Sequence, residues 1–327
     1  MKKRLMIAIT ALILSAGTTF AQKTGAYGYL SLPVSAHAAA LGGGAVSIVE
    51  PEVALAEDNP ALLCPEMNGQ LALGYMNYVS DVNLGHVAWG GQFLDLGGWM
   101  GSVRFLNYGN FDGYDENGVS TGSFSAKDLA FSGGVGYPVT ERWRVGGLMR
   151  ALYSNYESYS AFALSVNLGI NYYNEVTGTS LGLSVTELGG QLKKLGDRRT
   201  NLPTDLQFGW SNELEHLPLC LTLTAYKLLN WDDEYVDGSG EVHKWMGAEQ
   251  ILTHLKFGAE WIVNDNLYFA AAYDYRRQRE FSGGGGFLRG LSWGGGFKYK
   301  GFSFQAAYAR YNAVDGSLNI GLSYQFF

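Results

Sequence analysis

The stretch LNIGLSYQF at residues 318–326 decides the fold class, because its side chains alternate in character from one residue to the next. Aliphatic or aromatic residues occupy every second position, and small or polar residues lie between them. The same two-residue period appears at 162–171, 219–224 and 302–309. Such alternation predicts β-strands with one apolar face, long enough at about ten residues to cross a bilayer at a tilt.

The composition of the whole chain is typical of a large β-protein. The 327 residues include 45 glycines, 17 phenylalanines and 21 tyrosines, and only 16 % are charged. Mean hydropathy is −0.04, which excludes a polytopic helical membrane protein. Two cysteines cannot build a disulfide framework, and a net charge of −7 argues against a general nucleic-acid binder.

Residues 1–21 have the pattern of a cleaved export signal. A basic start at 2–4 precedes an apolar run at 5–17, and a small-x-small site at 19–21 allows cleavage before Gln22. We therefore expect export from the cytoplasm; an uncleaved anchor is the alternative. After residue 21 no apolar run reaches the ~18 residues of a transmembrane helix.

Two exported folds share this strand pattern, the soluble sandwich and the outer-membrane barrel. Aromatic residues crowd the segment ends, where the interfacial girdles of a barrel would lie. These residues are Tyr75, Tyr78, Tyr153, Tyr156, Tyr172, Tyr173, Tyr273, Tyr275, Tyr308 and Tyr311. The length of the alternating segments and this placement favour an all-β transmembrane antiparallel barrel in the outer membrane.

The number of predicted strands and the lengths of their connections agree with that fold. We predict fourteen strands, at 69–80, 84–94, 96–108, 124–137, 142–155, 158–173, 177–189, 203–214, 217–229, 249–262, 266–277, 287–299, 301–312 and 316–327. Every long connection follows an odd strand, at 109–123, 190–202, 230–248 and 278–286. Outer-membrane barrels likewise have long outer loops and short periplasmic turns. The barrel therefore spans residues 69–327.

The chain ends in aromatic residues. Tyr324, Phe326 and Phe327 resemble the aromatic-terminated insertion signal that the outer-membrane assembly machinery reads. The alternation ends on Phe326, so Phe327 is one residue extra. An ordinary hydrophobic strand end is the alternative interpretation.

Residues 22–68 do not alternate. They contain runs of small residues, three successive glycines at 42–44 and a turn at Asn59-Pro60. We predict that this segment is a plug inside the lumen, for which inner-face glycines such as Gly294, Gly296 and Gly321 leave room. A soluble periplasmic tail is the alternative.

The plug carries a family resemblance. The segments Ala36 to Gly44 and Asn59 to Leu63, with Asn59, Pro60 and Ala61 as the plug motif, resemble the outer-membrane long-chain fatty-acid transporters of the FadL kind. They are more similar still to the PorV/PorQ family of the type IX secretion system, and chain length and ending favour its PorQ branch. The resemblance implies a fourteen-stranded barrel with an N-terminal hatch. It also implies an attachment complex with a PorZ-like surface protein, PorU and PorV, which joins secreted cargo to lipopolysaccharide.

The predicted outer loops differ in charge, which suggests two kinds of contact. Acidic loops hold the aromatic residues Phe111, Tyr114, Trp231, Tyr235 and Trp245, which would serve as anchors for a partner protein. Basic loops hold Lys193, Lys194, Arg198, Arg199, Arg276 and Arg277, which would suit the phosphates of lipopolysaccharide. The alternative is that these loops are merely polar and contact outer-membrane lipid without specificity.

No motif supports catalysis, a cofactor or a metal. A G-x-S-x-G sequence at 290–294 lies inside an alternating strand, whereas a nucleophile elbow needs a strand-to-helix turn. The five histidines are scattered, and the acidic loop at 232–241 lacks the spacing of a calcium loop. A bridge between Cys64 and Cys220 is conceivable but unsupported by spacing.

The sequence thus predicts a non-enzymatic outer-membrane barrel, filled by its own N-terminal segment, that anchors a surface partner of the type IX system. The alternative is a FadL-like transporter of hydrophobic small molecules. That alternative requires an apolar pocket between the hatch and the strands.

Overall fold

The computed structural model describes residues 27–114, 120–157, 159–196, 199–231, 234–236, 241–281, 287–312 and 315–327. The predicted export signal 1–21 lies outside the described residues, and so does Arg198. In the described residues, no helix is long and apolar enough to cross a membrane.

Fourteen antiparallel strands form one closed barrel, in which β1 pairs with β16. The strands are β1 (Gln70–Val79), β2 (Val82–Phe93), β3 (Gly97–Tyr114), β4 (Ser120–Pro138), β5 (Trp143–Tyr156), β6 (Tyr159–Asn174), β7 (Thr179–Lys193), β8 (Asp205–Glu213), β9 (Leu219–Ala225), β12 (Leu255–Asn264), β13 (Leu267–Asp274), β14 (Leu291–Tyr299), β15 (Phe302–Ala309) and β16 (Ser317–Gln325). Two further strands, β10 (Glu234–Val236) and β11 (Val242–Lys244), form a separate ribbon between β9 and β12. The predicted fold class is confirmed.

The two-residue period places apolar side chains on the outer face of the wall. In β16, Leu318 and Ile320 are exposed, whereas Ser317 and Asn319 point inward and are buried. In β4, Phe131 is 51 % exposed and its neighbour Ala130 is 0 % exposed. A continuous apolar outer surface of this kind matches hydrocarbon rather than water.

The main corrections to the predicted strand boundaries lie at the long-loop end, where β7 also extends to Lys193, β12 begins only at Leu255 and β15 ends at Ala309. The predicted loop 109–123 is largely a continuation of the β3–β4 hairpin, shifted by a bulge near Gly109. The loop 230–248 contains the β10–β11 ribbon, and helix α2 (Ala248–Leu252) follows it. Strand β9 ends at Ala225 instead of 229, and strand β13 ends at Asp274 instead of 277.

After β13 the chain turns into helix α3 (Tyr275–Glu280), and a 3₁₀ helix (Phe287–Gly290) precedes β14. Helix α3 begins where it does because the side chain of Asp274 accepts a hydrogen bond from the backbone N–H of Arg277, as an N-cap residue does. The predicted strand ends at 277 and 287 were therefore wrong.

Residues 27–68 fill the lumen as a compact plug. The plug contains helix α1 (Ala36–Ala40), which Ser35 caps, and 3₁₀ helices at Gly28–Ser31, Val53–Glu57, Pro60–Leu62 and Pro65–Met67. Most of its side chains are buried against the inner face of the wall.

Glycines on the inner face let the plug backbone approach the wall. A Cβ at each of eight positions would meet plug atoms too closely: Gly74, Gly90, Gly98, Gly136, Gly146, Gly169, Gly182 and Gly209. Of the three inner-face glycines that the sequence suggested, Gly321 faces the plug at Ala36. A Cβ at Gly294 or Gly296 would instead meet atoms of the wall. These eight glycines thus allow the plug to pack closely on the wall.

Candidate functional site: the interface between plug and wall

The Asn59-Pro60-Ala61 motif forms a tight turn pressed against β4, β5 and β6. Asn59 is fully buried, and its side chain accepts a hydrogen bond from Ala61 N and donates one to Val46 O at 2.7 Å. A Cβ at Gly146 would collide with the backbone of Pro60, and one at Gly169 with the side chain of Asn59. The motif therefore fixes the plug to the wall by shape and by hydrogen bonds.

A buried carboxylate next to this turn joins the plug to several strands. Glu57 accepts hydrogen bonds from Arg104 Nη2 at 3.2 Å, from Arg150 and from Ser102, and lies 3.3 Å from His86 Nε2. Arg150 also pairs with Glu187, whose carboxylate accepts a hydrogen bond from Ser165. We call these residues the Glu57 network: Glu57, His86, Ser102, Arg104, Arg150, Ser165 and Glu187.

Glu57 is ionised within this network. Burial alone would raise the pKa of Glu57, but the positive charge of Arg150, the hydrogen bond from His86 and the charge of Arg104 outweigh burial. They hold the pKa well below its usual value. The network is close to electrical balance, because two buried arginines face two buried glutamates.

The long-loop half of the lumen contains an apolar cluster. On the wall, Met76, Leu84 and Leu106 lie side by side in register, and a second row joins Ala130, Leu152 and Ala163. The first described part of the plug covers both rows with the side chains Tyr27, Tyr29, Leu30, Leu32 and Val34. The wall thus offers the apolar surface that the transporter alternative requires, and the plug's own side chains cover it.

A polar cavity of about 260 Å³ lies above the plug at the long-loop end. Charged residues from wall, plug and α3 line it, among them Arg104, Asp205, Lys256, Arg277 and Glu187. Lys256 Nζ donates to Gly43 O at 3.1 Å, and Arg277 Nη2 donates to Gly42 O at 3.0 Å. The carbonyls of Gly42 and Gly43 thus accept hydrogen bonds from one basic side chain of β12 and one of α3.

The five predicted partner-contact residues differ in their surroundings. Trp231 and Phe111 are each 42 % exposed, and Phe111 stacks on Phe124 in the β3–β4 hairpin. Tyr235 and Trp245 are buried against each other at a ring-centroid distance of 3.9 Å, which corrects the expectation that they are free to contact a partner. For Tyr114 the structure gives only the backbone, at the end of β3. A partner role for the two exposed residues stays a prediction.

The residues predicted to bind lipopolysaccharide also fall into an exposed and a buried group. Lys193, Lys194 and Arg199 are exposed at the end of β7 and beyond it. Arg276 and Arg277 are only 5 % and 8 % exposed, because α3 turns the chain inward over the barrel mouth. The expectation that these two arginines lie on the outer surface was wrong. Arg277 instead donates to Ser292 and to the plug.

Other predicted features take the following positions. Tyr324 and Phe326 are on the outer face at the end of β16 and contact each other edge to face, and Phe327 is exposed after it. Cys64 and Cys220 are both buried and free. Ser292 of the G-x-S-x-G sequence is fully buried in β14 and accepts a hydrogen bond from Arg277, so it is not exposed at a nucleophile elbow.

A second polar cluster, which no sequence motif indicated, lies at the short-turn end. His37 Nε2 is 2.9 Å from Glu260 Oε2, and His37 Nδ1 is 3.8 Å from carboxylate oxygens of both Glu50 and Glu52. Burial lowers the pKa of His37, but these carboxylates outweigh burial and raise the pKa well above its usual value. We call these four residues the His37 cluster.

The sequence contained one usable signal for the Glu57 network. Arg104 and Arg150 occupy inward-facing positions of alternating strands, where an isolated charge requires a partner. The partner itself, Glu57, could not be identified, because nothing local distinguishes it from the other acidic residues of the plug.

Comparisons with known proteins support the fold. No family model matches the sequence, and no curated protein matches it. The barrel is similar to the deltaS2S3 mutant of the monoaromatic hydrocarbon channel TodX, with a TM-score of 0.56 and 14 % identity over 89 % of this chain and 98 % of that one. The barrel shares the TodX fold.

Two further solved structures are similar. The deltaS2 mutant of TodX matches with a TM-score of 0.53 and 14 % identity, over 86 % of this chain and 96 % of that one. A FadL homologue from Pseudomonas aeruginosa has a TM-score of 0.47 and 11 % identity, over 87 % of this chain and 96 % of that one. The two TodX matches show that the barrel fold is shared.

Proposed function

We propose that the protein is an outer-membrane transporter of small hydrophobic molecules. The observation that carries this proposal is the apolar inner wall formed by Met76, Leu84, Leu106, Ala130, Leu152 and Ala163. A water-filled porin lines its lumen with polar side chains, whereas this wall offers an apolar solute a surface inside the barrel. The shared fold with TodX, a monoaromatic hydrocarbon channel, supports the same function.

The plug defines how such a solute would reach the wall. Residues 27–34 supply aromatic and aliphatic side chains to the apolar cluster and accept hydrogen bonds from Arg104 and Gln191, whereas residues 57–61 hold the buried ion pairs and the tight turn. Replacing apolar contacts by an apolar solute costs little free energy, but breaking the Glu57 network costs much. We therefore expect a solute to displace residues 27–34 while the rest of the plug stays in place.

Photoaffinity labelling tests this function. The purified barrel in mild detergent is labelled with an alkylbenzene that carries a diazirine, and the labelled peptides are identified by mass spectrometry. We expect labelling of the inner apolar wall or of residues 27–34 that unlabelled toluene suppresses. Labelling that is confined to outward-facing residues and insensitive to toluene would contradict the proposal.

Two adjacent residues of β3 provide a matched pair of variants. Leu106 points into the lumen and is 2 % exposed, whereas Phe105 points outward and is 44 % exposed. Leu106→Trp fills the proposed path and should reduce toluene-sensitive labelling about tenfold, the effect of losing roughly 1.4 kcal/mol of binding. Phe105→Trp should leave that labelling unchanged.

Anchoring of a surface partner in a type IX attachment complex is the second candidate. Phe111, which is exposed and stacks on Phe124 in the extended β3–β4 hairpin, favours it, because exposed aromatic side chains make good protein contacts. Mass analysis of the barrel purified in mild detergent separates the two functions. A large surface protein that co-purifies and is lost in Phe111→Ser would favour the anchor, and bound apolar molecules without a protein would favour transport.

A further inference from the structure

The His37 cluster has a buried polar atom that makes no hydrogen bond to any residue that the structure describes. His37 is 1 % exposed, and its Nδ1 makes no hydrogen bond within the described residues. The carboxylate oxygens of Glu50 and Glu52 that face Nδ1 are each 3.8 Å away, which is too far for a hydrogen bond. A buried nitrogen that points between two carboxylates requires a bridging group.

The contact on the opposite side of the ring orients His37 so that Nδ1 faces Glu50 and Glu52. His37 Nε2 lies 2.9 Å from Glu260 Oε2, so that the ring donates its Nε2 proton to this carboxylate. Histidines that bind metals are commonly oriented in this way by a carboxylate on the other ring nitrogen. The ring of Tyr268 packs on His37 at 4.5 Å, and among the described residues the buried Tyr268 hydroxyl has no hydrogen-bond partner.

The charges around His37 are not balanced. Glu50, Glu52 and Glu260 carry three negative charges, and the nearest ammonium, Lys298 Nζ, lies 3.6 Å from Glu50 and supplies one positive charge. Three carboxylates thus face one imidazole and one ammonium at a site that is largely buried, and a divalent cation would add positive charge there.

We propose that His37, Glu50 and Glu52 bind a divalent transition-metal ion of the zinc class. One atom from each of the three residues lies within 4.8 Å of the others, and ligand atoms of a tetrahedral zinc ion are about 3.4 Å apart at bond lengths of about 2.1 Å. An imidazole nitrogen with two carboxylate oxygens suits zinc, whereas calcium and magnesium prefer oxygen ligands alone.

The site is accessible from the short-turn end. Glu50 and Glu52 line a cavity of about 390 Å³ that also contacts the turn 298–301 and the C-terminal Phe327. Glu50, at 26 % side-chain exposure, is the most accessible of the three ligands. A bound ion would join helix α1 to the following loop of the plug and, through Glu260, to β12 of the wall.

Titration with Co²⁺ tests the site, because the visible absorbance of Co²⁺ reports its ligands. The barrel is purified in detergent, treated with a chelator, titrated with Co²⁺ alone and then with Zn²⁺ to displace it. We expect one equivalent of Co²⁺ with the intense bands of a four- or five-coordinate ion. His37→Gln should weaken binding at least about 100-fold, and Glu260→Gln, which removes the orienting carboxylate, about 10- to 100-fold.

Glu66→Gln is the matched control, because exposed Glu66 lines the same cavity but lies outside the cluster. It should leave Co²⁺ binding unchanged. If His37→Gln fails to fold, Glu50→Gln at the cavity mouth gives the same test. Absence of Co²⁺ binding to the unmodified barrel, or binding that both His37→Gln and Glu50→Gln retain, would overturn the proposal.

Discussion

At the scale of single residues, the plug is held by Glu57 more than by any other charged group that the structure describes in it. Its carboxylate joins one 3₁₀ helix of the plug to β2, β3 and β5. The sequence predicted the plug but not this anchor, because the anchor depends on side chains 29 to 93 positions away along the chain. Only the folded barrel brings them together.

Glu57→Gln should destabilise the barrel by about 3–5 kcal/mol, because it leaves two buried arginines with less compensating charge. Urea unfolding in detergent measures the free energy of unfolding. Glu66→Gln is the control in the same plug, and its effect should stay within about 0.5 kcal/mol because Glu66 is exposed. Equal effects of the two variants would show that the Glu57 network does not stabilise the plug.

The lowered pKa of Glu57 predicts that the free energy of unfolding depends on pH. Because the pKa of Glu57 is lowered in the folded protein, its contribution to stability is present above the unfolded pKa of about 4.5 and is lost as pH falls through the folded pKa. The difference in unfolding free energy between the unmodified protein and Glu57→Gln should therefore be full at about pH 7 and shrink below about pH 4.5. A difference that grows on acidification would contradict this assignment.

At the scale of elements, alternation located the fourteen barrel strands, and departures occur where local capping overrides it. The side-chain period continues through polar residues near 275, but the N-cap at Asp274 starts α3 instead. Because of this helix, Arg277 contacts the plug and does not lie on the predicted outer surface. Residues that lie within regular strands were thus predictable, and those at strand ends were not.

Two neighbouring glycines of β5 test how closely the plug packs on the wall. A Cβ at Gly146 would collide with Pro60, whereas a Cβ at Gly147 would make ordinary contacts with Leu168 and Asn167. Gly146→Ala should cost about 1–3 kcal/mol by overpacking, and Gly147→Ala should cost little. Urea unfolding of the two variants compares them directly. Similar unfolding free energies would mean that the turn at 59–61 does not pack on β5 as described.

At the scale of the whole molecule, the closed barrel separates two environments. The outer face carries exposed aromatic and aliphatic side chains around the wall, and the inner face holds glycines, buried ion pairs and the apolar cluster that the plug covers. Both proposals about function assume this division. Transport needs the apolar inner wall, and the metal site needs the plug to be fixed against β12.

The accessibility of spin labels along β4 tests this division most directly. Single cysteines are introduced at successive positions from 129 to 135 in a Cys64→Ser, Cys220→Ser background, labelled with nitroxide and reconstituted in lipid vesicles. Leu129, Phe131 and Val135 should be accessible to oxygen dissolved in the bilayer, and Ala130 and Ser132 should be protected from both oxygen and a water-soluble nickel reagent. A nickel reagent that reaches Phe131→Cys as readily as an exposed loop, or the absence of a two-residue period, would contradict a plugged barrel in lipid.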